Sequence, residues 1–368
     1  MRALTLCAVA ALIGSGCFRV SRAVDELPDG DWMTRLGDLS HAPYIGERVP
    51  QRVQVEWDID FGRGLPVSPI IHGDLILTAV SGGEVVTANA QTGRRYWTRR
   101  FNGPVAGQLL RVGSTVYFAT QHRNGTLYAL DLHRGRRQWS RRIGSPAAAE
   151  PALADDRIYF ATTRDIQAVN AADGVPVWRT RISGLPVQPP IMLGDDLLVA
   201  VQDTLYRIRR TNGEVGSRTA LAGEPSAPMA VRGDTLVIAM QPGIVAAYVE
   251  GGTRELWRHS LSAPVLAAPV LTDAGVFVLT RSAELLQLGP ASARRIIALR
   301  GAATESLTMT ADGALIGTLD GRLTFVRYDG TLVWQERFDG SIRAPAVVRS
   351  HGVFVGTLTG RLIKLIPE

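Results

Sequence analysis

The stretch Ala168-Val169-Asn170-Ala171-Ala172-Asp173-Gly174-Val175-Pro176-Val177-Trp178 decides the fold. An apolar strand runs into a polar turn, a glycine able to take positive φ closes it, and a second strand returns carrying a tryptophan. The phrase recurs at Ala88–Trp97 and Ala129–Trp139. The glycine–tryptophan spacing returns as Gly93/Trp97, Gly135/Trp139 and Gly330/Trp334, with Trp257 one residue out of step. Trp97, Trp139 and Trp178 lie about forty residues apart, the period of stacked four-stranded units.

Upstream of each hairpin lies a second pair of apolar strands, as in Pro69–Val80, Pro151–Ala161 and Pro345–Thr357. Units begin near Leu65, Val105, Pro146, Leu185, Glu224, Pro264, Ala302 and Ser341. The eighth stops at Arg361–Ile366, one strand short. Gln51–Asp60, at the other end, has the form of a fourth strand with no unit before it. If it completes the last sheet, the ring closes and no long sheet edge is left open. The sequence therefore predicts an all-β, eight-bladed β-propeller of four-stranded antiparallel blades over residues 51–368, closed by its N-terminal strand.

Trp57, Trp97, Trp139, Trp178, Trp257 and Trp334 are expected to dock between blades. A ring burying roughly 150–250 Å² would contribute about 4–6 kcal/mol at most. Ser217 stands at the tryptophan position of the fourth unit and Ile296 near it in the sixth, so weaker junctions are expected there.

A 46% hydrophobic content, 38 glycines and 20 prolines suit many short strands joined by turns. The net charge of +6 is almost all arginine, Lys364 being the only lysine. Basic pairs at Arg94-Arg95, Arg99-Arg100, Arg136-Arg137, Arg141-Arg142 and Arg209-Arg210 read as solvated outer strands spread around the ring. No basic run of five or more interleaved with aromatics suggests a nucleic-acid partner.

At the N-terminus, Arg2, the apolar run Ala3–Ile13 and the small residues Gly14-Ser15-Gly16 lead into Cys17, the form of an export signal over residues 1–16. Cys7 falls within that segment, so Cys17 would be the sole cysteine of the exported chain, and an acyl group would occupy an otherwise unpaired thiol. The segment resembles a bacterial lipoprotein signal. That resemblance implies lipidation at Cys17, a tether over residues 17–50 and an outer-membrane location facing the periplasm; a soluble periplasmic protein is the alternative.

The alanine-x-aspartate/asparagine-x-x-threonine/aspartate-glycine-x-x-x-tryptophan repeats resemble those of the pyrroloquinoline-quinone-like propeller superfamily from Val53 onward, and Trp32–His41 resembles a lead-in common in it. Among its members the chain looks most like the BamB-type outer-membrane-protein assembly lipoproteins. The resemblance implies a non-catalytic scaffold without a cofactor, a BamA-like barrel-assembly component as protein partner, unfolded outer-membrane proteins as clients, and a membrane reached through the lipid. A ligand-binding or sensory propeller is one alternative. The quinoprotein dehydrogenases of the superfamily are another, but their cofactor is held by a vicinal cysteine pair, calcium and carboxylates, and this chain has no adjacent cysteines.

No other chemistry stands out. The six histidines show no two-ligand spacing, no glycine-rich phosphate loop precedes a helix, and no serine sits in a nucleophile elbow. What remains is a binding face built from interblade loops and second-to-third-strand turns. It is expected to present Gln108, Glu150, Gln188, Glu305 and Arg343 from the loops, and Ser81, His122, Arg164, Asp203, Gln241, Arg281 and Asp320 from the turns. Two proline-stiffened loops suit a protein partner, one with Leu185, Val187 and Gln188, the other with Leu261, Val265 and Leu266.

Overall fold

The computed structural model describes residues 44–186 and 188–368. The predicted signal segment, the acylation site Cys17, the lead-in at Trp32 and the loop residue Val187 lie outside the described residues.

Among the described residues there are strands and turns but no helix, and the strands form eight sheets arranged as a ring of blades. Blade 1 runs outward from the axis as Ile70–His72, Leu75–Val80, Glu84–Asn89 and Arg95–Arg100. Blades 2 to 7 repeat this plan. Blade 8 takes its three inner strands, Val347–Arg349, Gly352–Gly356 and Arg361–Pro367, from the C-terminus and its outer strand, Val53–Asp60, from the N-terminus. The register runs from Val53 opposite Pro367 to Asp60 opposite Arg361, so the predicted closure is present. Arg361 adds a two-pronged bond to Asp58, at 2.9 and 2.6 Å.

Alternate residues of each strand face opposite neighbours. Ile70, Leu77 and Val85 pack with blade 2, while Ile71, Ile76 and Val86 pack with blade 8. The core is thus a series of interblade layers, each of apolar side chains at near-complete burial.

The tryptophans bridge these layers at the rim. The Nε1–H groups of Trp97, Trp139 and Trp178 donate to the carbonyls of Leu132, Ala171 and Arg210 in the hairpin turn of the next blade, at 2.8–3.0 Å. Each ring lies so close to that turn that only glycine fits: a Cβ at Gly174 would stand 2.6 Å from the Trp139 ring. Of the six, only Trp334 is buried and the other five are half-buried, so the full-burial energy expected above is an overestimate.

Other side chains serve the remaining junctions. His259 Nε2 lies 2.7 Å from the Gly289 carbonyl and takes the role that its neighbour Trp257 does not. Where Ser217 replaces tryptophan, Arg207 and Leu205 lie against Gly251 and Gly252 of the next blade. At blade 6 the Ile296 carbonyl sits beneath Gly330.

One element was not foreseen. Tyr44–Ile45 pairs in parallel with Met309–Thr310, adding a fifth strand to the axial edge of blade 7. The chain then runs beneath blades 7 and 8: the Ala311 amide donates to the Glu47 carbonyl at 3.1 Å, Val49 donates to Asp312 at 3.2 Å, and Trp334 donates to the Pro50 carbonyl at 2.8 Å. Residues 44–50 are part of the folded disc, although the sequence reading assigned them to the tether.

Candidate functional site

Backbone bonds between each turn and the interblade loop beside it assign the loops to faces. Ser81, Gln121, Thr163, Gln241, Arg281, Leu319 and Leu358 donate to Gly64, Pro104, Pro146, Glu224, Pro264, Ala302 and Ser341 in turn, at 2.8–3.1 Å. The interblade loops and second-to-third-strand turns therefore share one face, here the upper. The first-to-second and third-to-fourth turns share the lower face, tied by bonds such as Ala90 to Asp74 and Ala171 to Asp156. Ser81, His122, Arg164, Asp203, Gln241, Arg281 and Asp320 are all exposed on the upper face.

The loop residues divide into two groups. Leu185, Glu305 and Arg343 are exposed, and Leu261 and Leu266 are half-buried. Gln108, Glu150 and Gln188 are buried because they turn sideways onto adjacent blades. The Ser68 amide donates to Gln108 Oε1 at 2.9 Å and the Ser68 hydroxyl to the Pro345 carbonyl at 3.0 Å. Gln188 Nε2 donates to the Ala227 carbonyl, and Glu150 packs on Gly107, where a Cβ would collide with its carboxylate. Thr304 makes the matching bond to Ile342 at 2.6 Å. These side chains clasp neighbouring blades around the axis, satisfying backbone groups that would otherwise be buried unpaired. Val265 pairs with Thr280 in a β-bridge and is fully buried, so it presents no surface to a partner.

Leu185 enters blade 4, whereas Leu261 and Leu266 enter blade 6, with the Glu224–Pro228 loop between them. The two loops share a face without forming a continuous patch.

The lower mouth of the axis is held by charge. Glu47 lies 3.8 Å from Arg349, and burial lifts its carboxyl above the usual range while the guanidinium opposes that shift. Burial also raises the Tyr328 hydroxyl to about 12. Tyr328 donates to the Thr310 carbonyl beneath the added strand.

A quinone cofactor over the upper face would need a donor set, and the residues do not fit one. At the equivalent position of successive interblade loops stand Ser68, Gln108, Glu150, Pro189, Pro228 and Ala268, followed by Ser306 and Pro345. The single carboxylate among them is turned into an interblade contact. Among the described residues there is no cysteine and no cluster of three metal-binding side chains.

The sequence matches the family described as "Outer membrane protein assembly factor BamB" over residues 19–191, 125–215 and 201–366. No curated protein matches it. Among solved structures, BamB from Moraxella catarrhalis is 15% identical, with 86% of this chain and 100% of that one covered at a TM-score of 0.71. Europium-containing methanol dehydrogenase is 10% identical, covering 92% of this chain and 98% of that chain, TM-score 0.73. The quinohemoprotein alcohol dehydrogenase of Comamonas testosteroni is 12% identical, covering 92% and 80%, TM-score 0.73. At such identities these structures share the fold with this chain, and the sequence match is what separates one branch of the fold from the others. The chain belongs to the BamB family of outer membrane protein assembly factors, built as an eight-bladed propeller of pyrroloquinoline-quinone-like repeats.

Proposed function

We propose that this chain is a non-catalytic scaffold, anchored through an acyl group on Cys17 at the periplasmic face of the outer membrane. There it would assist insertion of β-barrel proteins by holding a BamA-like component and its unfolded clients. The observation that carries this reading is the family match, which extends over nearly the whole chain. The upper face suits the role: exposed Leu185, half-buried Leu261 and Leu266, and exposed Arg343 are held on loops tied to neighbouring strands and blades through Gln188, Val265 and the Ile342 carbonyl respectively. Loops fixed at their bases lose less entropy on docking, and arginine is among the side chains enriched at interface anchors.

Affinity capture from native membranes, followed by mass spectrometry, tests the proposal. Co-purification with a barrel-assembly complex is expected, reduced at least about tenfold by Leu185→Glu with Leu266→Glu while thermal unfolding is unchanged, as burying two uncompensated charges would require. Recovery of unrelated envelope proteins alone would reject the role and leave the fold intact.

A further inference from the structure

The arginines of this disc are unevenly paired. On blades 3 to 8 many face a carboxylate: Arg179 with Asp165, Arg207 with Asp196, Arg295 with Glu284, Arg361 with Asp58. Blades 1 and 2 differ. Between Glu84 and Arg142 the chain carries eleven arginines against two carboxylates, Glu84 and Asp131, a net of nine positive charges. The whole chain totals +6, so the remainder is net negative by three. Four of the five arginine pairs thus fall on two adjacent blades, and the even spread expected from the sequence is corrected.

The two carboxylates are engaged nearby. Glu84 lies 3.9 Å from Arg100, and Asp131 accepts the Arg134 amide in its own turn at 2.7 Å. Arg94, Arg99, Arg136, Arg137 and Arg142 are exposed and have no carboxylate partner among the described residues. Where the two blades meet at the rim, a cleft of about 420 Å³ is lined by Arg99, Arg100, Arg136 and Arg137 together with the apolar side chains of Phe101, Tyr128 and Leu130. Tyr96, 51% exposed, stands on the same outer strand.

Guanidinium groups held together without counter-charges repel one another, and phosphates are their best-matched ligands. The charge covers two outer strands and exceeds what one small anion needs, so it fits a surface of many phosphates. Tyrosine among cations is the composition of a membrane-interface side chain. A protein partner would need an apolar centre to desolvate, but apart from Tyr96 the large apolar side chains of this cleft, Phe101, Tyr128 and Leu130, are already buried or half-buried. We propose that the outer rim of blades 1 and 2 docks on anionic phospholipid headgroups, setting the disc edge-on to a bilayer. This inference stands apart from the barrel-assembly role and needs no acyl group.

The test uses the full chain carrying Cys17→Ser, partitioned onto phosphatidylcholine vesicles with and without a third of the lipid as phosphatidylglycerol. The readout is the ratio of the two partition coefficients, so apolar insertion common to both cancels. Each arginine within a Debye length of an anionic surface contributes about fivefold. Replacing Arg99, Arg100, Arg136 and Arg137 with Gln is expected to lower the ratio at least about 50-fold. The same number of replacements at exposed Arg181, Arg209, Arg294 and Arg300 should change it little, and added salt should abolish the preference. Should the rim variant fail to fold by circular dichroism, Arg94→Gln with Arg142→Gln gives the same reading, with a loss of about tenfold. No preference for anionic vesicles, equal losses in rim and control variants, or binding of polyglutamate without binding of vesicles would each overturn the proposal.

Discussion

Lys364 Nζ lies 2.5 Å from a carboxylate oxygen of Glu56, joining the last strand of the chain to the N-terminal strand Val53–Asp60 that completes its blade. It also lies 3.2 Å from Gln91 Oε1 on blade 1 and 5.8 Å over the Phe354 ring. The chain's only lysine is 1% exposed, so its charge has almost no water to stabilise it. Glu56, about a third exposed at its side chain, keeps some. The asymmetry gives a prediction. Glu56→Gln strands a buried cation and should cost about 3 kcal/mol, Lys364→Met about 1–2 kcal/mol, and the double variant should recover most of the first loss. Guanidinium unfolding of the four proteins checks this; strictly additive losses would show that the pair is not coupled.

The rim docks give a second prediction, on Trp139 and Gly174. Ala at Gly174 meets a φ of +70° and a ring 2.6 Å from the new methyl, so a loss of about 2–4 kcal/mol is expected. Trp139→Phe keeps an aromatic ring but forfeits the 2.9 Å bond to the Ala171 carbonyl, at about 1–2 kcal/mol. Gly194→Ala is the control, since its φ is +56° but nothing lies within 4 Å, and it should cost about 1 kcal/mol. If Gly174 and Gly194 tolerate alanine equally in thermal unfolding, the ring contact is not what fixes the glycine.

These docks explain why the architecture was legible. Glycine and tryptophan are the two sides of one junction, so their spacing reports the blade period directly. The orphan strand around Trp57 and the missing strand after Ile366 are likewise two halves of one sheet. The candidate face was read less well. A polar loop residue such as Gln188 can turn to water or to the next blade, and only the backbone groups left over between blades decide which. Val265 reads as a loop residue but is drawn inward by its bridge to Thr280. The basic rim was countable from the sequence, blade by blade against carboxylates. Pairs such as Arg179 with Asp165 were not, because they depend on cross-strand placement.

His351 supplies a pH prediction. Burial lowers its pKa below the ordinary 6.5, Lys364 and Arg349 lower it further, and Asp74 and Glu56 oppose them. Its Nε2 is buried without a hydrogen-bond partner among the described residues. Below pH 6.5 the unfolded chain takes up a proton that the folded chain resists, so stability is full above that value and is lost as pH falls through the lowered folded value. Midpoints measured between pH 8 and pH 5 should fall with acidity, and more shallowly for His351→Gln. An identical slope in the variant would assign the acid sensitivity elsewhere.

Two N-terminal truncations separate closure from reinforcement. A chain beginning at Gln51 lacks the strand Tyr44–Ile45, the Glu47–Arg349 contact and the Pro50 carbonyl that accepts from Trp334, but keeps all eight blades at four strands. It should fold as the parent does and lose about 1–3 kcal/mol, the cost of one unpaired indole donor and a stripped sheet edge. A chain beginning at Phe61 also loses Val53–Asp60, which leaves Arg361–Pro367 as an open edge, Lys364 without Glu56 and Gly93 without Trp57. An unpaired apolar edge on the one blade that joins both ends invites pairing with a second chain. Size-exclusion chromatography should therefore show a monomer for the first truncation and aggregates for the second. A monomeric Phe61 chain that unfolds at the parental temperature would mean that the ring is held by its tryptophan junctions alone, and that the shared sheet is dispensable.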